Sequence, residues 1–480
     1  MKNILQHFFT VVLLLAACLA ARSQSSPNCE TVSDNDYFVG KLFFNYGSTS
    51  NAFNPKYRTN ITFGQPLVGT YFGQNNKGAF GFWARFLMSP GAPAVLASDG
   101  DLEDRIQISW SPDPLSPAAN NGFNIYRNGS LLATVESNVR SFIDFNVLAG
   151  KFYTYEVAGV NTFGEGMKGS ALGFLNPNGV VTGQVVSFSQ NPVVGALVTL
   201  TPTTGTALAF DGTDDMAFAE HQAFFPVNEF TVSAWVKLNG SNDNAGILDF
   251  GSSIGKNWWL HTLPAADGSG VRFGIGRGVG DVTEVDAEFE AGTEEEWHNV
   301  AAAYSGSLLL LYLDGQLVTT INDSITADSM PLFFGRRSPS GVGGDGFLNG
   351  KIDEVRLFNR QLSQTELQMF LNRTVNADAE GLAAYWKMDE GIGNKAYDQT
   401  ANKSRVYLCG ASWSSDRADV VNAGITDETG FYRIAGVNYG AGTTFTATVS
   451  KNFYENHSLE FNEAKQSFVE LPEFAYGLPD

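Results

Sequence analysis

Short apolar-polar alternations dominate the chain, and apart from Ser363 to Asn372 no long stretch carries helical spacing. Runs such as Ile106-Gln107-Ile108-Ser109-Trp110, Gly122 to Gly129 and Tyr153 to Asn161 alternate with period two. Each is bounded by Gly, Asn, Asp or Pro, as half-buried sandwich strands are. The pattern predicts an all-β fold made of several β-sandwiches. After an N-terminal segment is set aside, about 455 residues remain, too many for one core.

That N-terminal segment combines Lys2, an apolar stretch from Phe8 to Ala21 and a polar Ser-Gln-Ser-Ser run, the pattern of an export signal over residues 1–23. Its apolar part is too short to span a bilayer of ~30 Å, so no transmembrane segment is expected once the signal is removed. Leu15-Ala16-Ala17-Cys18 also fits a bacterial lipobox, which would anchor the chain through Cys18; the apolar Leu19-Ala20-Ala21 that follows favours a secreted or cell-surface protein without that anchor. Residues 24–89 form a β-rich region without a clear partner.

Further motifs resemble known families. From Pro90 to about residue 176 the chain resembles a fibronectin type III domain: Trp110 matches its core tryptophan, and Leu148-Ala149-Gly150 with Tyr153 matches the tyrosine corner. Residues 177–205 and 413–452 resemble two halves of a carboxypeptidase-regulatory-like sandwich, through Gly183-Gln184-Val185-Val186 and Thr426 to Val437. Between them, residues 206–412 resemble a laminin G-like domain of the concanavalin A-like jelly-roll type. The motifs are Leu208 to Gly212, Phe230 to Val236, Trp297 to Ala301, Leu311 to Gly315 and Gly350 to Arg360, followed by the helix-like Leu362 to Leu367. Leu459-Glu460-Phe461-Asn462 repeats the first of these, so residues 453–480 are expected to begin a second, incomplete copy. The arrangement, with Phe63 to Gly69, resembles modular surface proteins of the Bacteroidetes type.

Charge and chemistry narrow the function. A formal net charge of -20 argues against nucleic acid and leaves carboxylates available for calcium. Cys29 and Cys409 are too few and too distant for a disulfide framework. The chain lacks the His-Glu-x-x-His and Cys-x-x-Cys spacings, and Lys351-Ile352-Asp353-Glu354-Val355 lacks the flanking glutamates with which related jelly rolls hydrolyse glycosides. No catalysis is therefore expected. The resemblance implies a rim calcium shared by Asp211 and Asp353, although turn chemistry and an ion pair with Arg356 explain them equally. Adjacent Trp258 and Trp259 must face opposite sides of a strand, so one is a candidate stacking platform for a ligand. The reading is a non-catalytic adhesion protein that recognises an extracellular glycan or protein. The alternatives are a structural or gliding-type repeat protein, and an accessory region of a polysaccharide-degrading enzyme.

Overall fold

The computed structural model describes residues 69–72, 77–80 and 89–476, the last with gaps, chief among them 251–256, 325–330, 338–345 and 462–467. The expected signal, Cys18 and Cys29 lie outside the described residues. The chain divides into two units, Met1–Met88 and Ser89–Asp480. In the first, the strands Gly69–Phe72 and Lys77–Phe80 form an antiparallel hairpin. Everything below concerns the second, which is almost entirely β.

The first sandwich packs the sheet Ala94–Ala97, Ile106–Ser111, Ser141–Asp144 on the sheet Ser130–Val135, Gly122–Arg127, Tyr153–Asn161, Gly164–Gly173. Period-two alternation turns Ile106, Ile108 and Trp110 inward against Phe123, Ile125, Tyr155 and Val157. The Leu148 N–H donates to the Tyr153 hydroxyl at 3.0 Å, which pins the crossing between the sheets.

A second, smaller sandwich is assembled from two distant segments. Asn178–Ser187 pairs antiparallel with Phe431–Asn438, and Leu197–Thr201 lies between Asn422–Ile425 and Phe445–Ser450. Its core, including Val181, Val185, Val198, Leu200, Tyr432, Ile434 and Val449, comes only from these segments. Leu200 stands directly opposite Asn422 in an antiparallel ladder, so the residues between them leave and rejoin the sheet at neighbouring positions, where a hairpin turn would otherwise be. Inserting a whole domain there adds little loop-closure cost. Within residues 453–480, expected to open a second jelly roll, three strands pair with this sandwich: His457–Phe461 with Phe445–Ser450, and Phe468–Glu470 and Phe474–Tyr476 in parallel with Asn178–Ser187. An isolated strand leaves its backbone groups unpaired, and the sheet edges supply partners.

The inserted domain is a jelly roll of two eight-stranded sheets. Facing aromatics and aliphatics, among them Phe230, Phe250, Trp258, Phe273, Phe334 and Trp386, fill the space between them. The outer face of the first sheet, which contains Phe230–Leu238 and Asn349–Phe358, is covered. Ala301, Ala303, Tyr312 and Phe358 pack beneath Leu362, Leu367 and Val375. Leu367 belongs to the helix Gln364–Phe370, the only α-helix among the described residues. A capping box starts it: the Ser363 hydroxyl accepts the Glu366 N–H and the Glu366 carboxylate accepts the Ser363 N–H.

Buried polar contacts fasten the jelly roll to its host. Lys387 Nζ donates to Asn422 Oδ1 and to the Gly436 carbonyl, both at 2.6 Å, and lies 2.8 Å from Asp389 Oδ2. The first sandwich is held as well, with Lys395 2.7 Å from Asp99 and Arg405 3.2 Å from Asp101.

Candidate functional site

The outer face of the second jelly-roll sheet carries the candidate site. Its strands run in the order Asp281–Glu288, Gly270–Gly278, Asn257–Thr262, Gly246–Phe250, Leu332–Phe334, Met216–Ala219, Arg405–Cys409, Lys395–Tyr397. In Asn257–Thr262 the polar positions alternate with apolar ones, which decides the faces: Trp258 and Leu260 enter the core, and Asn257, Trp259 and His261 face outward.

Trp258 is therefore corrected from a candidate platform to a core residue. It is wholly buried and stacks on Phe250 at 5.2 Å and on Phe230 at 5.4 Å. Trp259 lies on the opposite face, where its indole covers Gly274 of the neighbouring strand. A Cβ there would come within 2.1 Å of the ring, so only glycine permits this packing. Trp259 retains 9% of its surface and stacks on His261 at 5.9 Å.

The same parity places three further rings on this face. Asp249, opposite Trp259, has Phe333 opposite it on the next strand; Phe218 lies opposite Phe333, and Tyr407 opposite Phe218. The Phe218 ring sits 6.5 Å from Phe333 and 5.5 Å from Tyr407, stacked on the latter, and all three are half-buried. At ~4.8 Å per strand, Trp259 and Tyr407 stand roughly 19 Å apart across the sheet. The sequence reading missed Phe218, Phe333 and Tyr407. Their signal was present: each is flanked by residues that turn into the core, Ala217 and Ala219, Leu332 and Phe334, Val406 and Leu408.

Polar groups border the rings. Asp249 Oδ2 lies 3.1 Å from His261 Nε2, and burial holds the His261 pKa below its ordinary value against the opposing pull of Asp249. Beyond them Arg272 makes a two-pronged contact with Asp286, at 2.7 and 2.8 Å. The half-buried rings Phe333, Phe218 and Tyr407 present apolar surface of the kind that stacks on the C–H faces of a sugar, while Asp249 and His261 are buried beside Trp259.

Asp211 and Asp353 are not brought together. Asp353 lies one residue beyond Ile352, the partner of Leu208, whereas Asp211 pairs with Asn349 at the other end of the ladder. Asp353 is buried, with Oδ1 accepting the Glu354 N–H and Oδ2 accepting the Ala418 N–H, both at 2.9 Å. Burial and the neighbouring Glu354 carboxylate raise its pKa well above the usual range, so it is a poor ligand for a divalent ion. The expected shared site is corrected accordingly. Asp211 instead shares an exposed turn with Asp214 and Asp215, where one oxygen of each lies within 4.8 Å of the others. Calcium takes six to eight oxygens, so these three fit it only as part of a shell completed by carbonyls and water.

Glu354 is also remote from any open surface. Its carboxylate pairs with Arg356 at 2.8 Å and accepts from the Tyr385 hydroxyl, and its backbone has φ 52° at a bulge between the pairs Ser233–Arg356 and Trp235–Asp353. A retaining glycosidase needs two carboxyl groups about 5 Å apart that flank an accessible bond. Asp353 and Glu354 are buried beneath other elements and cannot form that arrangement.

Residues 210–368 match the model of a family described as the concanavalin A-like lectin/glucanases superfamily. No curated protein sequence matches the chain. Solved structures with a similar fold include a proposed carbohydrate-binding protein from Bacteroides ovatus, 14% identical, covering 68% of this chain and 92% of that one at a TM-score of 0.36. A heptameric SAP-like pentraxin from Limulus polyphemus is 15% identical over 47% of this chain and 97% of its own, at a TM-score of 0.31. Domains LG4-5 of the mouse laminin alpha1 chain are 13% identical over 58% of this chain and 81% of theirs, at a TM-score of 0.28.

Proposed function

We propose that the protein is an exported, surface-displayed binding protein that holds a glycan on the outer face of the second sheet of its jelly roll without cleaving it. The observation that carries the reading is the row of half-buried rings Phe333, Phe218 and Tyr407 on the outer face of the second sheet, continued by the buried Trp259. The match of residues 210–368 to a lectin and glucanase superfamily supports a carbohydrate ligand. The internal use of Asp353 and Glu354 supports binding without hydrolysis. The N-terminal signal pattern supports export.

A glycan array probed with the whole chain tests this directly. Binding to a saccharide should fall about tenfold or more in Phe218→Ala and Tyr407→Ala, since one lost stacking contact of ~1.4 kcal/mol is a factor of ten. No reducing ends should appear on incubation with the bound saccharide. An array without a hit, or a hit indifferent to both substitutions, would overturn the assignment of this face.

A further inference from the structure

Where the two sandwiches and the jelly roll meet, they enclose a cleft of about 420 Å³. Asp101 comes from the first sandwich, Asn178 and Arg433 from the host, and Tyr397, Lys403 and Arg405 from the jelly roll. Domain junctions are a preferred location for ligand sites. The charge here runs against the rest of the chain. In a protein with a formal net charge of -20, three cations converge on one cleft.

The carboxylates nearby neutralise only one of them, Arg405. Asp101 pairs with Arg405 at 3.2 Å. Asp398 is buried and turned inward, accepting from the N–H groups of Tyr385, Thr400 and Ser404 and from the Thr400 hydroxyl. Among the described residues, neither Lys403 nor Arg433 has a hydrogen-bond or ion-pair partner for its side chain. The cleft also offers an acceptor. Asn178 Nδ2 donates to Glu390 Oε1 at 3.1 Å, which leaves its buried Oδ1 without a donor among the described residues.

We infer that this cleft is a subsite for a saccharide residue carrying both an acid group and hydroxyls, the chemistry of a hexuronate. The cations take the carboxylate, and Asn178 Oδ1 accepts a hydroxyl, which a fully ionised inorganic anion does not offer. The inference rests on the reading of the outer face as a glycan surface and names the acidic end of its ligand. The two are continuous, because Arg405 lines the cleft and Tyr407, two residues on, faces the same side of the same strand.

The experiment titrates the full chain with a panel of oligouronates built from galacturonate, glucuronate, mannuronate or guluronate, each beside its carboxyl-reduced counterpart. At least one oligouronate should bind about tenfold more tightly than its reduced partner, with an advantage that shrinks as salt rises. Lys403→Gln/Arg433→Gln should abolish that advantage, bringing the acid and its reduced partner to equal affinity, and Arg433→Lys should keep it. If every reduced chain binds as well as its acid, or the preference survives the double substitution, the inference falls and the glycan surface stands. If neither kind binds and the glycan array is also blank, both fall.

Discussion

Arg356 and Glu354 form an ion pair at 2.8 Å with side chains only 3% and 4% exposed, and the same guanidinium reaches the carbonyls of Phe370 and Arg373. The pair therefore ties the acidic strand to the end of the helix and to the segment that follows it. Glu354→Gln should lower stability by roughly 3 kcal/mol, because it leaves a buried cation without its counter-charge. Urea denaturation reads this directly. A variant of unchanged stability that had lost saccharide binding would instead place Glu354 in a ligand site.

The two faces of the second jelly-roll sheet should respond in opposite ways. Trp258→Ala removes a ring stacked among Phe230, Phe250 and Phe273 and should cost about 3–5 kcal/mol. Phe218→Ala and Tyr407→Ala lie on the half-buried outer face and should cost clearly less while weakening saccharide binding. Melting curves and titrations on the same three variants check the contrast.

Stability should decline from mildly acidic to mildly alkaline pH. Burial raises the Asp389 carboxyl to about 6 despite Lys387, and burial raises Glu390 to about 8. Below about pH 3 both groups are protonated in the folded and the unfolded chain alike. As pH rises the unfolded chain releases these protons first, so the native state binds more of them and loses stability until Glu390 ionises near pH 8. The slope is at most about 1.4 kcal/mol per pH unit for each group. Glu390→Gln should flatten it between pH 6 and 8. A wild-type stability that climbs across that range relative to the variant would contradict the assignment.

Calcium should separate the acidic turn from the acidic strand. A calcium-dependent rise in melting temperature should disappear in Asp215→Asn and persist in Asp353→Asn, because the Asp353 oxygens already accept the Glu354 and Ala418 N–H groups. Saturation a hundredfold above Kd corresponds to about 2.7 kcal/mol, which calorimetry resolves. The reverse pattern would restore Asp353 as a ligand.

Because Leu200 faces Asn422, replacing residues 202–421 with a short Asn-Gly turn should close a hairpin and leave a folded β-domain. Its core residues all lie outside the excised segment. Circular dichroism and hydrogen exchange should show a cooperative fold, and an unfolded product would mean that the jelly roll is needed to hold its host together.

The all-β class and the jelly roll were legible because both are written in local alternation. Ile106, Ile108 and Trp110 show their buried face in the sequence itself, and Asn257 and His261 mark the outer face of the strand that holds both tryptophans. What was not legible depends on sheet order. Phe218, Phe333 and Tyr407 belong to strands far apart in sequence, and only the ladder makes them neighbours. Asp353 looked available because its partner, the Ala418 N–H, lies 65 residues away. The cations of the junction cleft come from the jelly roll and its host, so no single motif could have grouped them.

The hairpin-like attachment also sets how the protein carries load. Tension between the flanks of the host enters through Asn178–Ser187 and leaves through Phe445–Ser450, while the jelly roll hangs from Leu197–Thr201 and Asn422–Ile425 as a side branch. The covalent path through the inserted domain bears no tension while Leu197–Thr201 stays paired with Asn422–Ile425 and Phe445–Ser450. A ligand on its outer face is thus shielded from shear that stretches the chain, and single-molecule pulling should show the host yielding before the jelly roll extends.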